Sequence, residues 1–264
     1  MQNITFKNGQ TNSNVTHGGA IYIRSGSLTV TDSIFVDNKA SNGYSAGIHA
    51  TDACEFLSVS DCTFNNSRIA HWGAAISFYC PGLVNNCEFY NGHAGLGGGA
   101  ILIQSESVTV NNSVFENNYG RDGSAIIMVF SGLGNEILNC NFTNNTSESA
   151  GAIYVRHDSG NNIIDSCLFV NNTLNAQNGG GAAILLSTNE NGGNNIVKDS
   201  IFIDNKANNT EGGAIKIDSL LNHIINCTFY NNTDKNGQDS IVSQKPVLIE
   251  NITIDDNSTD DIEN

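Results

Sequence analysis

The sequence predicts an all-β fold: one single-stranded right-handed parallel β-helix of about nine coils, occupying residues 1–264 as a single domain. Three observations carry that expectation. A Gly-Gly-Ala-Ile signature returns along the whole chain, a Phe followed by Asn or Asp returns between its copies, and apolar residues nowhere show helical spacing.

The first signature reads Gly18-Gly19-Ala20-Ile21, Ala46-Gly47-Ile48, Gly73-Ala74-Ala75-Ile76, Gly98-Gly99-Ala100-Ile101, Ser124-Ala125-Ile126, Gly151-Ala152-Ile153, Gly181-Ala182-Ala183-Ile184 and Gly212-Gly213-Ala214-Ile215, with a degraded copy at Asp239-Ser240-Ile241. Successive Ile residues in this position lie 25 to 31 apart. The second reads Phe35-Val36-Asp37-Asn38, Phe115-Glu116-Asn117-Asn118, Phe142-Thr143-Asn144-Asn145, Phe169-Val170-Asn171-Asn172 and Phe229-Tyr230-Asn231-Asn232. Two residues before each Phe stands Cys or Ser. Three before that stands an aliphatic residue, in order Val30, Val59, Val84, Val110, Ile137, Ile164, Val197 and Ile224.

Each repeat thus holds three short alternating segments separated by Gly, Asn and Asp clusters, the pattern of strands and turns. Antiparallel hairpins would also give short strands, but they would not require one residue type at one place in every repeat. Stacked coils do require it, because equivalent inward residues then lie on one another about 4.8 Å apart. Ile, Val, Cys/Ser and Phe become interior ladders, and Asn becomes a turn ladder.

Composition limits the function. Only 14% of the residues are charged and the formal net charge is -15, so few cations are available to neutralise phosphates and a nucleic-acid partner is excluded. Hydrophobic residues make up 39% of the chain, yet they never form the run of about 18 that a transmembrane helix needs. No export signal opens the chain, and Ile4-Thr5-Phe6-Lys7-Asn8 reads as the end of a repeat, so the expectation is a piece of a larger protein. Open coil ends would leave unpaired strand edges, which invites end-to-end self-association.

Five of the seven cysteines, Cys62, Cys87, Cys140, Cys167 and Cys227, share the ladder position that Ser33, Ser113 and Ser200 fill elsewhere, which marks a small buried residue. Cys54 and Cys80 stand outside that ladder on consecutive coils, where they are either a disulfide or two unpaired thiols. Sequons at Asn3, Asn14, Asn171, Asn208 and Asn251 read mainly as turn ladders, and Asn226 is expected too near the interior for modification. Neither a Gly-Gly-X-Gly-X-Asp nonapeptide nor an Asp-X-Asp-X-Asp loop occurs, so no metal site and no cofactor is expected.

Polysaccharide lyases and hydrolases, including the pectate lyases, use this solenoid, and their chemistry needs clustered carboxylates, or a carboxylate and a base, on one outer face. Along the Ile strand the outward positions are Tyr22 and Arg24, His49 and Thr51, Ser77 and Tyr79, Leu102 and Gln104, Ile127 and Val129, Tyr154 and Arg156, Leu185 and Ser187, Lys216 and Asp218, and Val242 and Gln244. Asp218 is the one acid among them, which leaves no catalytic residue to nominate. His49, His71, His93 and His157 are spread over different coils without an obvious carboxylate partner.

The same face suggests contact rather than chemistry. Leu102, Ile127, Val129 and Leu185, bordered by Tyr22, Tyr79, Tyr154, Arg24 and Arg156, form either an exposed apolar and aromatic stripe or a strip covered by a long turn. Trp72, beside His71 in the loop before a Gly-rich strand, is a further contact candidate. The expected binding set is therefore Tyr22, Arg24, Tyr79, Leu102, Ile127, Tyr154, Arg156 and Trp72.

Gly-Gly-Ala-Ile paired with Phe-X-X-Asn, as in Gly18 to Ile21 with Phe35 to Asn38, resembles the repeat of polymorphic outer-membrane proteins. The acidic, Asn-rich form seen here resembles the adhesin-like surface proteins of methanogenic archaea. The likeness runs over essentially the whole chain and carries no catalytic residues with it. It implies an extracellular or cell-surface module that binds a surface glycan, a protein of another cell or a surface polymer. A β-helix polysaccharide lyase or glycoside hydrolase, or an inactive relative of one, is the alternative.

Overall fold

In a computed structural model the chain winds into a right-handed solenoid whose strands all pair in parallel. The structure describes residues 1–11, 17–130, 132–189, 192–237, 240–255 and 262–263; Asn14 and Asp239 lie outside them. Each typical coil contributes to four sheets, one more than the three segments expected from the sequence. The Val sheet has nine strands, the Phe sheet ten, the Ile sheet ten, and the extra sheet eight. The extra strands are very short, from Lys39–Ala40 to Thr146–Ala150, and so escape a search for alternation.

Register is strict because equivalent residues pair directly: Ile101 with Ile126, Val84 with Val110, Phe115 with Phe142. Nine Phe rings from Phe6 to Phe229 form one continuous stack with centroids 4.5 to 5.0 Å apart and planes nearly parallel. The Ile, Val and Phe ladders meet in one core from Phe6 to Ile254. The ladder cysteines are buried, and the Sγ of Cys62, Cys87, Cys140, Cys167 and Cys227 each points at the carbonyl two residues earlier, as Ser33 Oγ and Ser200 Oγ do.

Asn has two separate tasks at the turns. The residue two after each Phe, from Asn8 to Asn231, is always Asn or Asp and always has φ between 52° and 57°. Asn and Asp tolerate this left-handed conformation best among residues with a side chain. The residue after it turns inward. Asn118, Asn145, Asn172 and Asn205 are buried there, and each amide bonds the next coil's amide at 2.9 to 3.1 Å. A second buried amide ladder, Asn135, Asn162, Asn195 and Asn222, closes the corner between the Ile and Val sheets. Asn226, by contrast, is exposed, with its amide on Asp199, because its left-handed φ of 54° turns the side chain outward.

Candidate functional site

The outward stripe of the Ile sheet is covered. Leu102 is 1% exposed and Ile127 0%, and Val129 and Leu185 are also buried, which corrects the expectation that Leu102 and Ile127 present a contact surface. Tyr44, Trp72, Tyr79 and Tyr154 pack over the first three of these residues. The covering begins in the Gly-rich signature itself. Gly73 (φ 67°) and Gly98 (φ 64°) turn the chain back over its own sheet, and a Cβ on Gly73 would stand 2.9 Å from Leu102 Cβ, while one on Gly98 would stand 3.0 Å from Ile127 Cγ2. Only glycine allows that approach together with that φ.

The segment just before these glycines forms a small ladder of its own, His17 to Tyr44 to Trp72 to Gly97. It hangs as an eave over the face. Beneath it, at the first coils, His49 is buried and sandwiched: His17 stacks on it at 4.7 Å, Tyr22 and Tyr44 at 5.5 Å, and Tyr79 meets it edge-on at 5.3 Å. His49 Nδ1 bonds Ser77 Oγ at 2.6 Å. Burial, and secondarily His17, pull His49 down to about 3. Burial beside Tyr44 raises Tyr79 far above the ordinary phenol value. These groups form a packed cap over the first coils. Tyr22 and Arg24 are exposed at this end of the face.

Among the described residues a cleft remains open on this face. It has a volume of about 350 Å³ and is lined by Tyr44, Trp72, Leu102, Gln104, Val129, Phe130, Arg156 and His157. Leu102, Gln104, Val129 and Arg156 are its floor, set by the outward positions of three consecutive Ile strands and their ends. Tyr44 and Trp72 wall it from the eave. Phe130 and His157 wall it from the opposite corner, their rings stacked at 4.8 Å. Both hold left-handed backbones, φ 55° and 58°. For residues of that bulk this costs on the order of 1–3 kcal/mol each, a cost that packing must impose and that recurs at ligand sites.

The polar part of the cleft is an ion-paired arginine, whose carboxylate partner Asp122 also meets Arg121 Nε at 3.6 Å. Arg156 Nη1 meets Asp122 Oδ2 at 3.2 Å, with side-chain exposures of 33% and 10%, and its guanidinium lies 5.8 Å from the Tyr154 ring centroid. Burial and the neighbouring Arg156 lower His157 below the ordinary imidazole value. Burial raises Tyr154 and, further along the face, Asp218. The groups present can stack on a ring, donate from guanidinium and amide, and accept at the Gln104 carbonyl. Among the described residues no group of three or more His, Cys, Asp or Glu is arranged to hold a metal ion.

Of the eight expected binding residues, the cleft gathers Trp72, Leu102 and Arg156, with Leu102 in its floor. Tyr154 packs behind Arg156, Tyr79 and Ile127 belong to the covering layer, and Tyr22 and Arg24 lie at the other end. Tyr44 and Phe130 escaped sequence reasoning, although a signal exists. His17, Tyr44 and Trp72 each stand four residues before the signature Ile, and Phe130 and His157 each stand four after it. Cys54 and Cys80 are both buried and stand as free thiols rather than a disulfide. Burial, with Cys54 beside it, pushes Cys80 up to about 12.

No curated protein matches the sequence. Among solved structures, that of PfbA, a surface adhesin of Streptococcus pneumoniae, is similar over 95% of this chain and 75% of its own, at 17% identity and a TM-score of 0.43, a level that bears on neither ligand nor activity. The model of the family described as "Right handed beta helix region" matches residues 46–221, which takes in every lining residue of the cleft except Tyr44. The chain belongs to the right-handed β-helix family.

Proposed function

We propose that this rod is a ligand-binding module of a surface protein, an adhesin or display element that holds another cell, a glycan or a surface polymer without transforming it. The observation that carries this reading is the cleft between Trp72 and Phe130: aromatic walls, a floor with two polar side chains, and two bulky residues held in left-handed conformations to shape it. Such a combination suits recognition, in which apolar surface supplies affinity and a few placed polar groups supply orientation. The resemblance of the repeats to polymorphic outer-membrane proteins and to adhesin-like proteins of methanogenic archaea supports an extracellular or cell-surface setting.

The test pairs binding with turnover. Intact rod is applied to arrays of surface glycans and peptides and to whole cells, beside assays for reducing-sugar and unsaturated-uronate release from polysaccharides. Binding that disappears in Trp72→Ala and Phe130→Ala, with unfolding transitions unchanged, is the expected result. Turnover that is abolished by Asp218→Asn or Asp122→Asn would overturn it in favour of a β-helix lyase or hydrolase. Ile127 is unsuitable as a probe because its substitution would disturb the buried layer.

A further inference from the structure

The cleft selects its ligand by charge and by shape. Arg156 is the one lining residue with a permanent charge, and Asp122 pairs with it at 3.2 Å from a nearly buried position while also meeting Arg121 Nε at 3.6 Å. His157 is held toward its neutral form. An anionic ligand would have to compete with Asp122 for Arg156 and would approach a chain of formal net charge -15. A cationic ligand would be drawn by that field, and aromatic walls suit a quaternary ammonium. It would, however, place its charge against the Arg156 guanidinium in the floor. A neutral ligand meets neither obstacle.

Shape narrows the choice further. Tyr44, Trp72 and Phe130 line the cleft with aromatic carbon, which favours a flat apolar surface, while Gln104 and Arg156 offer donors and an acceptor on the floor. A pyranose has both requirements in one unit: a C–H face for stacking and an equatorial rim of hydroxyls that donate and accept. The volume of about 350 Å³ is at the small end of ligand pockets, so it takes the end of a glycan rather than a long stretch of polymer. The ring of Trp72 is itself positioned by backbone, since a Cβ on Gly97 of the next coil would come 2.9 Å from Trp72 Cζ3.

On the binding-module reading given above, we infer that the cleft between Trp72 and Phe130 binds a terminal neutral sugar of a surface glycan. The sugar's C–H face stacks on these aromatic rings, and its hydroxyls bond Gln104 and Arg156. Trp72 is the single tryptophan of the chain, so tryptophan emission excited to the red of tyrosine absorption reports on this cleft alone. The experiment titrates the intact chain with neutral hexose and N-acetylhexosamine oligosaccharides, with uronate oligosaccharides, and with a choline compound. A saturable change in Trp72 emission with a neutral sugar is expected. Gln104→Ala and Phe130→Ala should each weaken it by about tenfold or more. Thermal unfolding of Gln104→Ala, whose side chain is only half-buried, should stay as in the parent.

A response confined to uronates or to the choline compound, or no response to any neutral sugar, overturns the assignment. So does neutral-sugar binding that survives both substitutions. If cells or surface proteins are still bound through Trp72 and Phe130 in that event, the module reading stands and only the sugar is wrong. If the intact rod binds no surface at all, the module reading itself has failed.

Discussion

Replacing Asn145 by Ala should destabilise the rod far more than the size of the change suggests. Asn145 is fully buried, and its side chain makes four hydrogen bonds. Oδ1 accepts from Asn118 N at 3.0 Å and from Asn118 Nδ2 at 3.1 Å; Nδ2 donates to Phe115 O at 2.9 Å and to Asn172 Oδ1 at 3.0 Å. At a net 1 kcal/mol or so per bond, and with the Asn118 N–H left in a dry turn, the loss sums to about 4 kcal/mol. Asn208→Ala is the control: its amide also bonds a stacked amide, Asn175 Oδ1 at 2.7 Å, but at a solvated turn, and its loss should cost no more than about 0.5 kcal/mol. Urea unfolding followed by circular dichroism measures both, with m-values compared to confirm that the same surface is exposed. The break should also be local to the middle of the ladder, because the early coils already carry Ser67 and Gly92 at this rung. Equal midpoints for the two variants would refute the idea that buried amide bonds, rather than the aromatic stack beside them, hold these turns.

Three further outcomes follow from the same geometry. Phe142→Ala should cost about 3–5 kcal/mol in the same urea titration, since the ring is fully buried between Phe115 and Phe169 at 4.8 Å on either side; Tyr230→Ala, half-exposed on the outer face of the same sheet, should cost under about 1 kcal/mol. Ile127→Asp should abolish folding or expression of soluble rod despite the outward parity of its position, because the carboxylate would be buried under Tyr154 and the eave; a variant that folds normally would show that the layer opens freely. For His49 the folded value, about 3, lies below the unfolded 6.5, so the unfolded chain binds a proton that the folded one refuses. Stability is then unaffected above pH 7 and falls as pH drops from 6.5 toward 3, by up to about 1.4 kcal/mol per unit. Between pH 6 and pH 5 the parent should lose roughly 1 kcal/mol more than His49→Gln, and parallel pH profiles for the two would contradict that assignment.

The ladders were legible in the sequence because in-register parallel stacking makes each residue the neighbour of its own equivalent. A position that holds Phe in every coil, Phe35 through Phe229, can only be a stack, and an Asn or Asp after it in every coil can only be a repeated turn. The fourth strand, two to five residues long, was not legible, since a segment such as Lys39–Ala40 is too short to show alternation. Alternation also told correctly which side chains leave the interior, Leu102 and Ile127 among them. It could not tell whether the outside of the rod is wet. That was decided by the backbone at Gly73 and Gly98, whose left-handed turns lay the preceding segment over the next coil's side chains. The cleft likewise depends on tertiary structure: Tyr44 and Phe130 are 86 residues apart, and only stacking at one rung per coil brings their two corners to opposite sides of one cavity. Sequence repetition determined what lies inside the helix; the path of the chain over its own face determined what is left open to a ligand.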